Sequence, residues 1–540
     1  MGRAGGARAH NAGGARARPT RPWIPPPDGS GASPGAVAPW PSVRAPSARF
    51  RLLVGGTAPA DVAALRAALA QRLARRGLLP PQGGPAGPPP GAPVRARCTA
   101  LPLLVPIGPQ EDPEQVDADL QRRAHRLNAA TDLIVRTSGS TTGTGRLVAM
   151  GAGALAASAR ATHTRLGGPG TWVLALPAHH VAGLQILTRS LLAGTEPVVV
   201  DTRTGFDPAR LAEAVLTALA VGAGGRDGAV RAGRGPHGHG RLGPDSAQVG
   251  PGSRLYVSLV PTQLQRVLDD SAATKALARA ETVLLGGASA PPGLLKRSSA
   301  AGIRVVTTYG MSETGGGCIY DGLPLDGVRV RVNAHGRVVL CGPVLAEGYA
   351  DDDPQASAQG NGEGRALEDA RSGGAPSGPG RLAPAGVSSA PGFHTERGPD
   401  GLLHRVLVTA DRGRMEADGR LTVLGRVDDI IVTGGVKVDP HQVEAALIGL
   451  DDVAEACVVG VPDPQWGRAV VAAVVLKAGA NPDPAALRAA ARTLLDGPSC
   501  PKKVIALDAL PVRGPGKPDR RAVQTMLQDA LGRPGEEGGS

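Results

Sequence analysis

Aromatic side chains are scarce in this sequence. Phe, Tyr and Trp make up 2% of 540 residues, so a buried core has to be built from Ala, Val and Leu. Lysine is scarce too: Lys275, Lys296, Lys437, Lys477, Lys502, Lys503 and Lys517 are the seven in a total of 59 basic residues. An Arg, Ala, Gly and Pro bias of this kind reflects coding composition, which makes each surviving lysine worth noticing. The five cysteines (Cys98, Cys318, Cys341, Cys457, Cys500) form no CxxC pair. That excludes a zinc knuckle or disulfide framework and fits a reducing compartment. No apolar run is long enough to span a bilayer, and the arginine-rich start has no apolar segment of the secretory kind. The expectation is a cytoplasmic chain with no membrane span. Acid is in deficit, 47 residues against 59, giving a net charge of +12. The excess arginine is scattered through low-complexity segments without interleaved aromatics. A nucleic-acid partner is therefore disfavoured, and an anionic ligand such as ATP or coenzyme A suits the charge as well.

What is abundant is Gly (78) and Pro (50), and both are concentrated in a few segments. Residues 1–47 read as a disordered tail, and about 221–253 and 351–398 as low-complexity insertions. Between them the chain alternates short apolar runs with helical patterns. Asp61 is the expected N-cap of a helix with Val62, Leu65, Leu69 and Leu73 on one face, and Asp112-Pro113 opens another helix to about Leu127. Strands are expected at Trp172–Leu176, Pro197–Val200, Leu255–Val260, Thr282–Leu285 and Ile303–Thr307, with an apolar helix at Val181–Leu192 and another at 208–220. This alternation predicts a large α/β N-terminal domain, residues 48–426, with mainly parallel sheet. After residue 400 the texture changes to short strands and turns. A small, mobile α+β C-terminal domain is expected at 427–540, joined by a polar hinge near Gly425-Arg-Val-Asp-Asp429.

One stretch stands out chemically, Asp132-Leu-Ile-Val-Arg-Thr-Ser-Gly-Ser-Thr-Thr-Gly-Thr-Gly-Arg146. A short apolar strand leads into ten residues rich in Gly, Ser and Thr, and a helical pattern follows from about Ala149. Exposed amides, hydroxyls and a terminal cation are the parts that hold a polyphosphate. It is not a Walker loop, which needs Gly-Lys-Ser/Thr. A flexible surface linker is the competing reading. Five further segments accompany it. Leu176-Pro-Ala-His-His-Val-Ala-Gly183 puts His179 and His180 at the C-terminal end of a strand, where ligands sit in open α/β sheets. Gly286-Gly287-Ala288 leaves backbone free to approach a flat ring. Tyr309-Gly-Met-Ser312-Glu313 supplies an aromatic face, a hydroxyl and a carboxylate suited to Mg²⁺ shared with phosphate oxygens. Asp411 suits a ribose diol. Lys517 sits in a Gly/Pro loop that presents it outward. Each has a plain alternative: satisfied histidines, turn residues, a surface pair of Arg426 with Asp428 or Asp429, a solvated lysine.

Taken in this order, these segments resemble the adenylate-forming enzymes, the family of acyl-CoA synthetases, firefly luciferase and peptide-synthetase adenylation domains. The matching residues span 137 to 517: Thr137 to Thr141, Tyr309 to Glu313, Asp411, Gly425 to Asp429 with Gly434-Gly435, and Gly516-Lys517. Within the family, the Leu-Pro-Ala-His-His-Val-Ala-Gly-Leu segment and the compact core resemble the o-succinylbenzoate–CoA ligases of menaquinone synthesis. The resemblance implies ATP, Mg²⁺ and CoA as co-substrates and metal, and a small carboxylic acid as partner. It implies that Thr137, Ser138, Gly139, Ser140, Thr141, Gly143 and Arg146 grip phosphates, and that Glu313 holds Mg²⁺. Gly286, Gly287, Ala288, Tyr309 and Ser312 would surround the adenine and AMP, and Asp411 with Arg426 would hold the ribose. Lys517, His180 and Glu313 are the catalytic candidates, Asp428 the hinge, and Gly434 and Gly435 the CoA-facing pair. Arg189 would face the aryl carboxylate of the acid, or else lie on the wet face of its helix. The chain departs from the family in an extra threonine at Thr141-Thr142, in Gly145-Arg146 for the usual Pro-Lys, in Ala410 within Thr-Ala-Asp, and in Ser312. The readings left open are an acid–CoA ligase for o-succinylbenzoate, an adenylating enzyme for another acid or acceptor, and a nucleotide- or nucleic-acid-binding homologue without turnover.

Overall fold

The computed structural model describes residues 49–79, 101–137, 145–231 (backbone only over 221–231), 254–351, 390–398, 400–477, 479–512 and 518–532. The 1–47 tail, most of both insertions, residues 138–144 of the phosphate-loop candidate and Lys517 lie outside them.

Three sheets build the larger part. The first has five strands in the order Phe50–Val54, Leu103–Ile107, Leu133–Arg136, Leu147–Met150 and Gly348–Tyr349. The first three run parallel, the fourth pairs antiparallel with the third, and the fifth antiparallel with the fourth. The second has seven, and its centre is parallel: Val305–Met311, Thr282–Leu285, Leu255–Leu259, Thr171–Leu174 and Val198–Val199 lie side by side, with Gly316–Tyr320 and Leu323–Pro324 added antiparallel at one edge. Its strands are continuous apolar runs covered on both faces, as parallel sheets require. Helices Ala152–Arg165 and Val181–Ala193 pack together and draw Trp172, Tyr256 and Tyr320 into the interior. The few aromatics thus go inside, where their area counts most. Leu65, Leu69 and Leu73 are fully buried on helix Pro59–Arg75, as their spacing predicts.

The third sheet is antiparallel: Arg329–Val332, Arg337–Cys341, Leu403–Met415 and Gly392–Arg397, with Leu421–Arg426 paired to the far end of the long strand. Three expectations are corrected here. Residues 392–397 form a strand in register with Leu403–Arg405 and beyond, so the end of the second presumed insertion belongs to the sheet. Helix Pro59–Arg75 starts two residues before Asp61, with Ala58 as its cap and Pro59 fixing φ at the first turn, which leaves Asp61 as a first-turn acid. The helix opened by Asp112 does cap as expected, Glu114 N donating to its carboxylate at 2.9 Å, but it ends at Arg123.

Residues 431–531 carry their own apolar clusters, drawn from hairpin Ile431–Thr433/Val436–Val438, the sheet of Val453–Asp463, Gly467–Leu476 and Lys503–Ala506, and helices Pro440–Ile448, Pro484–Ala491 and Arg520–Gly532. Among the described residues no helix is long and apolar enough to cross a membrane.

Candidate active site

The phosphate-loop candidate is a hairpin loop, which corrects the expectation of a strand running through the loop into a helix. Leu133–Arg136 pairs antiparallel with Leu147–Met150, and the helix begins only at Ala152, at the opposite end of the second strand. The N-terminus of that helix therefore lies beyond the second strand and not directly after Arg146. Thr137 and Arg146 close its neck: Thr137 N donates to Arg146 O at 3.0 Å, and Arg146 N to Thr137 Oγ1 at 2.7 Å. Ser138, Gly139, Ser140, Thr141 and Gly143 lie outside the described residues. The Arg146 guanidinium stacks on the Tyr349 ring, 3.8 Å from its centroid, with Nε 3.3 Å from Asp351 Oδ1. Asp351 also takes Arg123 and the amide of Leu147. The cation at the loop base is thus held in place before any phosphate arrives.

Tyr349 leads directly to Glu313. Its hydroxyl donates to Glu313 Oε1 at 2.9 Å, and the Glu313 carbonyl accepts from Ala346 N. Glu313 sits in the 3₁₀ turn Ser312–Thr314, which ends strand Val305–Met311, with Gly315 at φ +60° as its left-handed stop. Burial pushes the Glu313 carboxyl above its ordinary range, while the Tyr349 bond and the charges of Arg146 and Arg426 oppose this. A carboxylate whose charge is under-compensated in this way is suited to a cation. Among the described residues no group of three His, Cys, Asp or Glu forms a metal cage. The donor set fits Mg²⁺ held by one carboxylate and phosphate oxygens, and does not fit a self-contained metal centre.

Tyr309, four residues earlier on the same strand, donates to Asp411 Oδ2 at 2.6 Å. Asp411 is 8% exposed and stands opposite Arg426 in the antiparallel register, with Arg426 Nη1 3.7 Å from Oδ1. Burial and the neighbouring Asp411 charge drive the Tyr309 phenol well above its usual range, so it stays a donor. Thr409 orients this strand, its hydroxyl donating to Val338 O and accepting from Asp411 N. Asp411 keeps lone pairs for a further donor pair beyond Tyr309 and Arg426. Gly286 and Gly287 follow strand Thr282–Leu285 beside this pair. A Cβ on Gly286 would overlap Thr308 Oγ1, and Gly287 has φ +82°. Glycine at both keeps the backbone flat and open, and Ala288 beyond them is exposed.

The histidine segment sits where the first two sheets meet. His179 N donates to Gly55 O at 2.5 Å, and its Nδ1 lies 2.7 Å from the same oxygen. Burial depresses its pKa. His180 is the N-cap of helix Val181–Ala193, its ring 4.2 Å from that of His179. Along that helix Gln185 Nε2 donates to Gly315 O at 2.6 Å, just after the Glu313 turn. Arg189, one turn further, is 4% exposed. The wet-face alternative is overturned: the guanidinium lies 4.8 Å from the Trp172 centroid, Nη2 donates to Tyr320 OH at 3.3 Å, and Nε has no partner among the described residues. Burial pulls its pKa down.

At the expected hinge, Asp428 accepts from Arg426 Nη2 at 3.2 Å. Asp429 faces His441 Nε2 (3.6 Å) and Arg520 Nε (3.5 Å), and Glu444 takes Arg520 Nη1 at 2.6 Å and His441 Nδ1 at 3.1 Å. Gly434 and Gly435 turn the hairpin with φ +55° and +82°; a Cβ on Gly434 would strike the Trp466 ring. Val512 and Pro518, which flank the residues carrying Lys517, pair as a bridge. The sequence reading missed Tyr349, Asp351, Gly55, Trp172, Tyr320 and the His441–Glu444–Arg520 cluster. For Tyr349 and Tyr320 a signal existed, because a tyrosine in so aromatic-poor a chain is itself notable.

Comparison with known proteins agrees with this arrangement. The model of the AMP-binding enzyme family matches residues 256–350, and that of the AMP-binding enzyme C-terminal domain matches 442–517. A probable 2-succinylbenzoate–CoA ligase of Mycobacterium tuberculosis is 38% identical over 439 residues, covering 79% of this chain and 95% of that protein. The 2-succinylbenzoate–CoA ligase of Geobacillus kaustophilus is 29% identical over 442 residues, 78% and 72% of the two chains. Among solved structures, o-succinylbenzoate CoA synthetase from Bacillus subtilis in complex with the acyl-adenylate intermediate OSB-AMP aligns with TM-score 0.52 at 21% identity, over 76% of this chain and 73% of that one. E. coli MenE with bound OSB-AMS aligns with TM-score 0.56 at 20% identity, over 89% and 88%. The chain belongs to the AMP-binding enzyme family and has the adenylate-forming fold, a large α/β N-terminal domain with a small C-terminal domain.

Proposed function

We propose that this protein is an AMP-forming acid–CoA ligase that converts o-succinylbenzoate, ATP and CoA to o-succinylbenzoyl-CoA, AMP and diphosphate, a step of menaquinone biosynthesis. The choice of acid is carried by one observation: Arg189 is a buried guanidinium with an unpartnered Nε and no carboxylate beside it among the described residues. A fork-shaped cation in an apolar helix is suited to a carboxylate that the reaction leaves untouched. The relatives named for this acid support the same choice.

In the first half-reaction the succinyl carboxylate attacks the α-phosphorus of ATP, and diphosphate leaves. Thr137 and the 138–144 segment hold the β- and γ-phosphates, with Arg146 fixed at their base. Glu313 would hold Mg²⁺ together with phosphate oxygens, and the ion would neutralise charge on the leaving diphosphate. Gly286 to Ala288 and Tyr309 bracket the adenine, near Ser312, and Asp411 with Arg426 takes the ribose hydroxyls. His180 stands at the head of the helix that leads to Arg189, between nucleotide and acid. Lys517 neutralises charge developing between the carboxylate and the α-phosphate, which needs a positioned cation. In the second half-reaction the domain from 427 to 540 swings about Asp428, which withdraws Lys517 and brings Gly434-Gly435 alongside the pantetheine. The CoA thiolate attacks the acyl carbon and AMP leaves. The four described cysteines are unpaired, in keeping with a cytoplasmic location.

The test is diphosphate release with ATP, Mg²⁺ and o-succinylbenzoate, with and without CoA, for wild type and Lys517→Ala. Acid-dependent release that Lys517→Ala abolishes, with thioester formed only when CoA is present, is the expected result. Turnover with a different acid alone would keep the chemistry and discard the substrate. Acyl-AMP that accumulates despite CoA would move the reading to another acceptor, and silence with every acid despite ATP binding would overturn it.

A further inference from the structure

Folded proteins leave few buried polar atoms without partners, and each that remains calls for an explanation, such as strain, a functional role or a bound ion or water. Among the described residues Ser158 Oγ, His163 Nε2, Trp172 Nε1, Arg189 Nε and Ser190 Oγ are all buried without a hydrogen-bond partner. They lie on three elements that pack together, helix Ala152–Arg165, strand Thr171–Leu174 and helix Val181–Ala193. Ser158, Trp172 and Ser190 are fully buried, Arg189 is 4% exposed and His163 8%. The Tyr320 hydroxyl joins two of these elements, meeting Arg189 Nη2 at 3.3 Å and Oγ1 of Thr162, the residue before His163, at 2.9 Å. The Trp172 ring lies under the Arg189 guanidinium.

The chemistry of the set is one-sided. Arg Nε–H and Trp Nε1–H are donors only, and the hydroxyls and a neutral imidazole donate as readily as they accept. Each unmet donor has given up its water without a partner in return, which destabilises the free protein. A group that meets them has to be rich in acceptors and negative. Burial and the Arg189 charge push the His163 pKa down to about 4, so near neutral pH it adds no second cation. Position narrows the ligand further. Gln185 touches the backbone beside Glu313, and Arg189 lies one turn on, about 6 Å along the helix axis. That separation is of the order of an aromatic ring.

We propose that His163 and Trp172 are specificity-determining residues of the acid pocket, which together with Arg189 hold the ring-borne carboxylate of the substrate through Nε2 and Nε1. This rests on the o-succinylbenzoate reading above. It adds two donors contributed by elements outside the helix that carries Arg189. The pocket then selects an aromatic dicarboxylate over a monocarboxylate of the same shape.

The experiment compares wild type with His163→Phe, His163→Asn and Trp172→Phe, using o-succinylbenzoate and, as a substrate or competitive inhibitor, 4-oxo-4-phenylbutanoate, the same acid without its ring carboxylate. His163→Phe and Trp172→Phe are expected to raise KM for o-succinylbenzoate about tenfold each, the loss of one charge-assisted hydrogen bond. kcat and KM for ATP should stay within about twofold, and KM or Ki for the monocarboxylate should not move. His163→Asn, which keeps a donor, is expected to recover part of the loss and serves if the phenylalanine variant does not fold. Equal losses with both acids would reduce the two residues to a structural role and overturn the proposal, as would an unchanged KM for o-succinylbenzoate. Wild type inactive on o-succinylbenzoate but active on another acid would sink the substrate reading itself. Active wild type with unselective variants would sink this proposal alone.

Discussion

Arg189→Met is expected to make the free protein more stable and the enzyme worse. A guanidinium taken out of water costs several kcal/mol even after the protein relaxes around it. The stack on Trp172, 4.8 Å from centroid to guanidinium, returns about 2 kcal/mol at best. The Tyr320 contact at 3.3 Å is long and returns about 1 kcal/mol. With no carboxylate beside it and Nε unmet among the described residues, a debt of roughly 1–3 kcal/mol remains that methionine, similar in length and apolar, does not carry. For a 150–250-residue domain each kcal/mol moves Tm by about 2–4 °C, and by less in a larger unit, so a rise of about 2–5 °C is expected in thermal melts without ligand. Acid at a hundredfold excess over Kd stabilises the wild type by about 2.7 kcal/mol and should leave the variant almost unmoved, so the order of the two melting points should close or invert. KM for o-succinylbenzoate should rise about a hundredfold, the 2–3 kcal/mol of a bidentate pair. Melts with and without o-succinylbenzoate beside a non-hydrolysable ATP analogue read both effects. A variant that melts below wild type without ligand would mean the charge is already paired in the free protein, and the reasoning about its ligand would fail.

Three further outcomes follow from the geometry. Tyr309→Phe removes the donor that meets Asp411 Oδ2 at 2.6 Å, and is expected to raise KM for ATP about tenfold, from about 1.5 kcal/mol, with little change in KM for the acid. Gly286→Ala drives a Cβ into Thr308 Oγ1 beside the proposed adenine site, and should cost about 1–3 kcal/mol, read in denaturant melts, and weaken AMP binding in calorimetry. Burial opposes the charge on His441, yet its bonds to Asp429 and Glu444 outweigh this and lift its pKa to about 9. A pKa raised on folding stabilises fully below the ordinary histidine value near 6.5 and is lost as pH climbs through about 9. Melts of the C-terminal part should therefore fall between pH 6.5 and 9.5, and His441→Gln should flatten that slope.

Much of the site was legible because its chemistry needs particular backbones. Gly286-Gly287 stands out in sequence since no side chain fits there, and the Thr-Gly-Ser stretch at 137–146 stands out since nothing else supplies so many amides and hydroxyls in ten residues. Asp411 was found by its place in Thr-Ala-Asp, though its partner Tyr309 lies a hundred residues away and only the third sheet brings them together. That sheet was the part of the fold least visible beforehand. Apart from Leu403–Met415 its strands are short, a long Gly/Pro-rich stretch separates them, and Gly392–Arg397 mixes polar and apolar residues in a way that resembles the insertion before it. The hairpin at the phosphate loop was misread for a related reason. Leu147–Met150 is four buried apolar residues, a pattern that fits a strand or the start of a helix equally well, and its pairing with Leu133–Arg136 decides between them.

The acid end of the site was illegible for a different reason, and Arg189 makes the point. One arginine in an apolar helical run has the same spacing whether it faces water or the core, so periodicity cannot locate it. Burial does, and burial depends on Trp172 and Tyr320 arriving from two strands to meet its guanidinium. The adenylating chemistry is written in glycines and a few motifs that each act where they stand. Recognition of the acid is written in polar atoms that make sense only as an assembled set, several of them unsatisfied until the substrate is there. A core that leaves Ser158, His163, Trp172, Arg189 and Ser190 wanting acceptors gives up stability at that one place. The same sacrifice makes a monocarboxylate a poor fit, because it would leave those donors buried and unmet. Selectivity for a dicarboxylate and local instability of the free pocket thus have one cause, and a substitution that relieves the second should erode the first.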